Sequence, residues 1–328
     1  MSILEEKIKI NNLNIEGRIV MPPVATYQAE EEGFVTDKIL DYYGARAENP
    51  NVSLIITEHS YITLQGKAKS RQMGIDSDDK ISGLKKLTDR IHKSDTKVFC
   101  QLNHAGSAAD SDVSGMQTVG PSQVILPVKP MMGSGELPLE MKIEEVHHVV
   151  QQFAQASVRA KKARFDGVEI HCAHGYILNQ FYSPLTNKRR DKYGGILENR
   201  LRFTLETIEA VRNAVGNDYP ISVRLGGSDY REGGNTIEDA IKAAKLIEAA
   251  GANMISISGG MCRYTREGHK EAGYFSDLSY AVKNVVSIPV LLTGGVTEKQ
   301  QAEKLCKNES ADLVGVGRSL LKNPNWEK

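Results

Sequence analysis

Eight short apolar runs recur along this chain, and each is followed by room for an amphipathic helix. The runs are 19–21, 53–57, 97–102, 167–170, 221–224, 254–258, 289–293 and 312–316. Helical spacing fills 36–47, 81–93, 143–163, 197–215, 237–250, 278–286 and 298–306. An apolar run of strand length with a helix after it must pair in parallel with the next run. Eight such units favour closure into a single (β/α)8 barrel over an open sheet. The 328 residues suit one barrel domain spanning 1–328.

Before the first unit, 8–10 and 13–15 flank Asn11-Asn12, a short hairpin that predicts a plug under the barrel floor. Thr36, Thr236 and Thr297 stand at helix starts, with acidic residues just after them. One connection, 104–142, is long and rich in Gly, Ser, Pro and Met. It follows the third strand, so it predicts a lid or substrate loop on the C-terminal face, where barrel sites are built.

Lys plus Arg is 41 and Asp plus Glu is 41, so the net charge is zero. That gives no electrostatic case for a nucleic-acid partner. No leader pattern and no apolar run of membrane length is present, so a cytoplasmic protein without a membrane partner is expected. The four cysteines are scattered and form no C-x-x-C pair, which argues against a cysteine-bound metal or a redox dithiol. Cys100 reads as core. Cys172 reads as a strand-end residue facing away from the neighbouring histidines rather than as a reactive thiol.

In a barrel, the strand ends converge on one mouth. They bring there Pro22-Pro23-Val24-Ala25-Thr26-Tyr27, Glu58-His59, Gln101 with His104, and Arg224. They also bring Ser258-Gly259-Gly260, Thr293-Gly294-Gly295 and Gly315-Val316-Gly317-Arg318. Glycine loops on the last two strands, one followed by arginine, fit a phosphate held by backbone N–H groups and a forked cation. Gln101 and Arg224 are either interior residues bonded to neighbours or ligand contacts. A buried arginine needs a partner, and a ligand with negative charge supplies one. Glu169 faces either the barrel interior or a neighbour.

The fourth strand runs into His171-Cys172-Ala173-His174-Gly175-Tyr176, two imidazoles and a phenol in six residues. Three readings compete for the histidines: a metal site completed by His59, a bonded core pair, and hydrogen bonding to a ligand. H-x-x-H lacks a clear third ligand nearby, so ligand binding is favoured and no metal is expected.

The run His171-Cys-Ala-His-Gly-Tyr-Ile-Leu-Asn-Gln-Phe-Tyr-Ser-Pro-Leu-Thr-Asn-Lys-Arg-Arg-Asp-Lys-Tyr-Gly-Gly-Ile-Leu-Glu-Asn-Arg-Leu-Arg-Phe203 resembles the signature of the old yellow enzyme family. So do Arg18-Ile-Val-Met-Pro-Pro23, Gly33-Phe-Val-Thr-Asp37, Gln101-Leu-Asn-His-Ala-Gly106, Thr293-Gly-Gly295 and Gly317-Arg318. The likeness covers nearly the whole chain. It implies a barrel that binds FMN non-covalently, takes hydride from NADH or NADPH, and reduces an α,β-unsaturated small molecule. His171 and His174 would donate to the substrate oxygen, and Tyr176 would protonate the α-carbon. Tyr27 would sit on the substrate side of the ring. Pro23, Val24, Ala25, His59, Gln101 and Arg224 would contact the flavin, with Arg224 near N1 and O2. Gly294, Gly295, Gly317 and Arg318 would hold its phosphate.

Three departures qualify the resemblance. Ala25 stands where one branch carries a cysteine, so thiol tuning of the flavin is not expected. The dienoyl-CoA and enoate reductase branches, which the chain also resembles, continue into a cysteine cluster and a second nucleotide-binding domain. The sequence ends at Lys328 without these, so reduction directly or by a partner is expected. Some relatives also reach a C-terminal arm into a neighbour's site; that contact is not expected here, and a homo-oligomer stays open. The competing functions are NADH oxidation or demethylation by a flavin barrel, a metal-dependent barrel hydrolase, and a barrel that binds a phosphorylated ligand without redox chemistry.

Overall fold

A computed structural model describes residues 2–128 and 133–327. Eight parallel strands close on themselves: β1 Ile19–Met21, β2 Leu54–Ile56, β3 Lys97–Asn103, β4 Gly167–Cys172, β5 Ile221–Ser228, β6 Met254–Gly259, β7 Val290–Thr293 and β8 Leu313–Gly315. Val20 of β1 pairs with Leu54 on one side and Gly315 on the other, which seals the ring. The surrounding helices are α1 Asp37–Ala47, α2 Ile81–Ile91, α3 Ile143–Lys162, α4 Leu197–Val215, α5 Ile237–Ala249, α6 Ser276–Lys283, α7 Lys299–Lys307 and α8 Arg318–Lys322. The (β/α)8 barrel expected from the alternating pattern is the fold.

Alternation along each strand sorts the interior into layers. At the floor, Val20, Leu54, Ile56, Phe99, Met254, Leu291 and Leu313 meet Ile10 and Ile15. Those two isoleucines belong to the antiparallel hairpin Ile8–Ile10 with Leu13–Ile15, which plugs the barrel as expected. Gly167 leaves room for the Phe99 ring, since a Cβ there would lie 2.6 Å from it. One step up, the interior turns polar. Gln101 Nε2 donates to Glu169 at 2.8 Å, and the Ser222 hydroxyl donates to Glu169 at 3.0 Å. Glu169 therefore both faces inward and ties to its neighbours. Burial raises its pKa, while the Arg224 charge and these hydrogen bonds oppose the rise.

Strands β4 and β5 run further than the apolar pattern suggests, to Cys172 and Ser228. The in–out alternation continues through polar residues that hydropathy alone reads as loop. His171 turns toward the mouth. Cys172 turns outward, with its sulfur 3.4 Å from Thr204 Oγ1 on α4, and burial pushes its thiol up to about 12. Thr36 and Thr236 cap their helices as expected. At α7 the cap is Glu298 and not Thr297, because Glu298 forms a reciprocal capping box with Gln301. Helix α6 begins two residues earlier than the periodicity suggests and stops at Lys283.

The 104–142 connection carries a short helix, Ser111–Ser114, and the paired strands Val119–Gly120 and Leu139–Glu140. Residues 129–132 of it lie outside the described residues. Its Leu126 and Val128 pack with Ala105, Ala108, Met261 and Tyr176. Among the described residues, no helix is long and apolar enough to cross a membrane.

Candidate active site

A cleft of about 430 Å³ opens at the C-terminal ends of the strands. Every residue that the family resemblance assigns to cofactor or substrate reaches it. The loop after β1 contributes Pro23, Val24, Ala25 and Tyr27; β2 leads to His59, and β3 supplies Gln101. His171, His174 and Tyr176 come from β4 and its loop, and Arg224 from β5. Gly294 and Gly295 follow β7, and Gly317 and Arg318 follow β8. Glu58, also at a strand end, does not line the cleft. Its carboxylate accepts the Thr26 backbone N–H at 2.9 Å and the Thr26 hydroxyl at 2.6 Å, which pins the β1 loop.

The histidines are oriented by bonds behind them. His171 Nδ1 accepts the Ala173 N–H at 3.3 Å, which leaves the proton of the neutral ring on Nε2. His174 and Gly175 take left-handed backbone, at φ +62° and +78°, and the bend returns His174 to the same mouth. Its Nε2 lies 2.6 Å from Ser258 Oγ on β6. A hydroxyl donated there puts the ring proton on Nδ1. His59 Nδ1 lies 2.8 Å from Gln72 Nε2, an amide that only donates, so Nε2 of His59 is the donor. The Tyr176 ring stands 4.9 Å from His171 and 5.3 Å from His59, centroid to centroid. Behind Tyr176 are Leu126 and Val128, so the long loop supports the phenol from the back and no described part of it lines the cleft.

Burial keeps these rings neutral. It pushes His59 down to about 4 and His171 and His174 well below the usual imidazole range, helped by the Arg263 charge at His59 and the Arg224 charge at His171 and His174. Tyr176 is pushed upward by the same cause and holds its proton. All four groups therefore keep one protonation state from pH 5 to 9. Ligand affinity at this mouth is expected to be flat across that range, as read by titrating a neutral ligand at stepped pH. A transition near 6.5 that vanishes on replacing His171 contradicts the assignment.

Cationic groups line the cleft as well, beginning beside His171, whose strand partner is Arg224. Arg224 is buried and bonds Thr293 Oγ1 through Nη2 at 3.3 Å, while Nε and Nη1 have no partner. No carboxylate lies within ion-pair distance of it among the described residues. Gly294 and Gly295 hold φ +136° and +73°, and a Cβ at Gly295 would lie 2.4 Å from the Glu271 carbonyl. The Tyr274 ring packs against both glycines, and its hydroxyl is 3.4 Å from Arg318 Nη2. Tyr274 was not foreseen: it lies twenty residues before the glycines it covers, with no local signal. Pro22, Arg263 and Tyr264 also line the cleft. Among the described residues, no three His, Cys, Asp or Glu side chains are placed to share a metal ion.

The sequence profile of the NADH:flavin oxidoreductase / NADH oxidase family matches residues 4–328. The chain belongs to that family. It is 42% identical over 326 residues to a protein named NADH oxidase from Thermoanaerobacter brockii, covering 98% of this chain and 49% of that one. It is 37% identical over 320 residues to an NADPH dehydrogenase from Halalkalibacterium halodurans, covering 97% and 91%. The old yellow enzyme homologue from Zymomonas mobilis superposes with a TM-score of 0.85 at 26% identity, over 98% of this chain and 90% of that one. The chain spans about half the length of the first of these relatives.

The family is one of FMN-dependent NADH:flavin oxidoreductases. The cleft fits FMN on its own terms. Arg224 has unpaired buried donors that would suit the negative charge of a flavin ring, and the glycine loops with Arg318 would suit its phosphate.

Proposed function

We propose that the whole chain is one FMN-binding barrel domain that reduces the C=C bond of an electron-poor alkene, an enone or enoate, with NADH or NADPH as donor. The reading rests above all on paired neutral imidazoles and a protonated phenol facing one mouth beside an arginine with unpaired buried donors. FMN, when bound, supplies the hydride chemistry. The protein does the rest. His171 Nε2 and His174 Nδ1 donate to the substrate oxygen, where negative charge grows as hydride reaches the β-carbon. Such preorganised donors are worth about 3 kcal/mol each in a dry site. Tyr176, kept protonated by burial, delivers its proton to the α-carbon as general acid. Tyr27 flanks the substrate. Arg224 and Gln101 hold the ring, with His59 beside them, and Pro23, Val24 and Ala25 pack along it. Four free cysteines suit work in a reducing cytoplasm.

Half-reactions test this directly. The purified protein is expected to be yellow, to bleach anaerobically with NADH or NADPH, and to recover its colour with an enone. Tyr176→Phe is expected to slow the recovery by about 10²-fold and leave the bleaching unchanged. Colour that returns only with oxygen favours the second reading, NADH oxidation, which the name of the Thermoanaerobacter relative supports.

A further inference from the structure

The cleft lining among the described residues includes three arginines, Arg224, Arg263 and Arg318, and no aspartate or glutamate. The flavin reading uses two of them. Arg224 faces the ring and Arg318 the phosphate. Arg263 stands elsewhere, beside the histidines and the phenol. Its positive field reaches His59, His174, Tyr27 and Tyr176. Among the described residues it makes no ion pair and no side-chain hydrogen bond, and its Nε is buried without a partner. Its guanidinium carbon lies 5.0 Å from the Tyr264 ring centroid. A half-buried guanidinium with free donors in a cleft without acids is unbalanced charge.

The segment that carries it is held in place. Asp229 accepts the Met261 N–H at 2.8 Å and is itself fixed by Ser183 at 2.6 Å and the Asn235 N–H at 2.9 Å. The Arg263 N–H bonds the Gly260 carbonyl at 2.9 Å, and Arg263 takes left-handed backbone at φ +62°. The Tyr274 hydroxyl pins the Tyr264 carbonyl at 2.6 Å. A side chain presented from a left-handed, twice-anchored turn is preorganised, and such strain gathers at functional sites.

We propose that Arg263 selects substrates that carry a negative charge besides the activating carbonyl, and that its guanidinium receives that charge as a carboxylate. This rests on the ene-reductase reading, in which His171 and His174 already hold the activating oxygen. It adds a second point of recognition, and so a substrate class: unsaturated carbonyl compounds with a pendant carboxylate. A forked guanidinium binds a planar carboxylate through two parallel hydrogen bonds. The dinucleotide donor also carries anions, its phosphates. Arg263 acts on the groups nearest the reacting carbonyl, which places its charge at the substrate.

The test is a binding comparison on the FMN-loaded protein. 4-Hydroxybenzoate and its methyl ester differ in the charge and by one methyl group, and each is titrated while the flavin absorption is followed. The wild type is expected to bind the acid at least about tenfold more tightly than the ester, the gain of one charge-assisted pair. Arg263→Ala is expected to abolish that ratio, and Arg263→Lys, which keeps the charge without the fork, to retain part of it. A wild type without preference overturns the proposal. A preference kept by Arg263→Ala overturns it too. So does a loss confined to NADH affinity, which assigns the guanidinium to the donor's phosphates. Failure of the ene-reductase reading shows separately. In that case NADH-reduced protein is not reoxidised by 4-oxopent-2-enoate or its methyl ester, while the acid-to-ester binding ratio still responds to Arg263.

Discussion

Replacing His171 and His174 together with alanine is expected to slow alkene reduction by about a thousandfold, with FMN still bound and its reduction by NAD(P)H preserved. Both rings act on one developing charge. Each is neutral, each has one nitrogen occupied behind it, and each leaves the other nitrogen free toward the mouth. Because they act as a unit, either single variant is expected to lose most of the rate, and the two losses do not add. Ser258→Ala sits one step behind. It leaves the ring of His174 in place but frees its tautomer, so a smaller loss in the same half-reaction is expected. Stopped-flow measurement of flavin reoxidation by an enone decides the matter. A double variant with wild-type reoxidation removes the histidines from the mechanism.

The second large effect belongs to Arg224. Arg224→Met is expected to weaken FMN binding by about a hundredfold and to shift the flavin potential to more negative values. Two losses combine. The unpartnered Nε and Nη1 no longer meet the flavin's developing charge, and the Glu169 carboxylate loses the positive charge that counters its burial. Removing one member of a buried charge arrangement costs about 2–5 kcal/mol. Arg224→Lys restores the charge but not the fork, so it is expected to recover the potential further than the affinity. Titration of apoprotein with FMN and a potentiometric redox titration read the two quantities. An unchanged potential in Arg224→Met places the arginine away from the ring.

Much of the fold and of the cleft lining is legible in the sequence. Strand and helix periods are local properties, and eight repeats of one unit leave few ways to bury eight apolar strands. Barrel topology then gathers every strand end at one mouth, so Arg224, Gln101 and the glycine loops met there although over two hundred residues separate the ends of that set. His171 and His174 reach the same mouth for the same reason.

What sequence did not contain was partnership across the barrel. Nothing near His174 announces Ser258, nothing near Gly294 announces Tyr274, and nothing near Arg263 announces that its neighbours include no acid. The long 104–142 connection was expected among the substrate contacts, yet its described residues back Tyr176 instead, because apolar Leu126 and Val128 are buried against the far side of the phenol. The extensions of β4 and β5 were missed because polar residues continue the strand where the interior itself is polar. Local hydropathy and spacing settle which elements form and where their ends converge. Which nitrogen of His174 carries the proton, and which arginine keeps unpaired donors, depends on atoms brought together from distant strands, and only the closed barrel decides those.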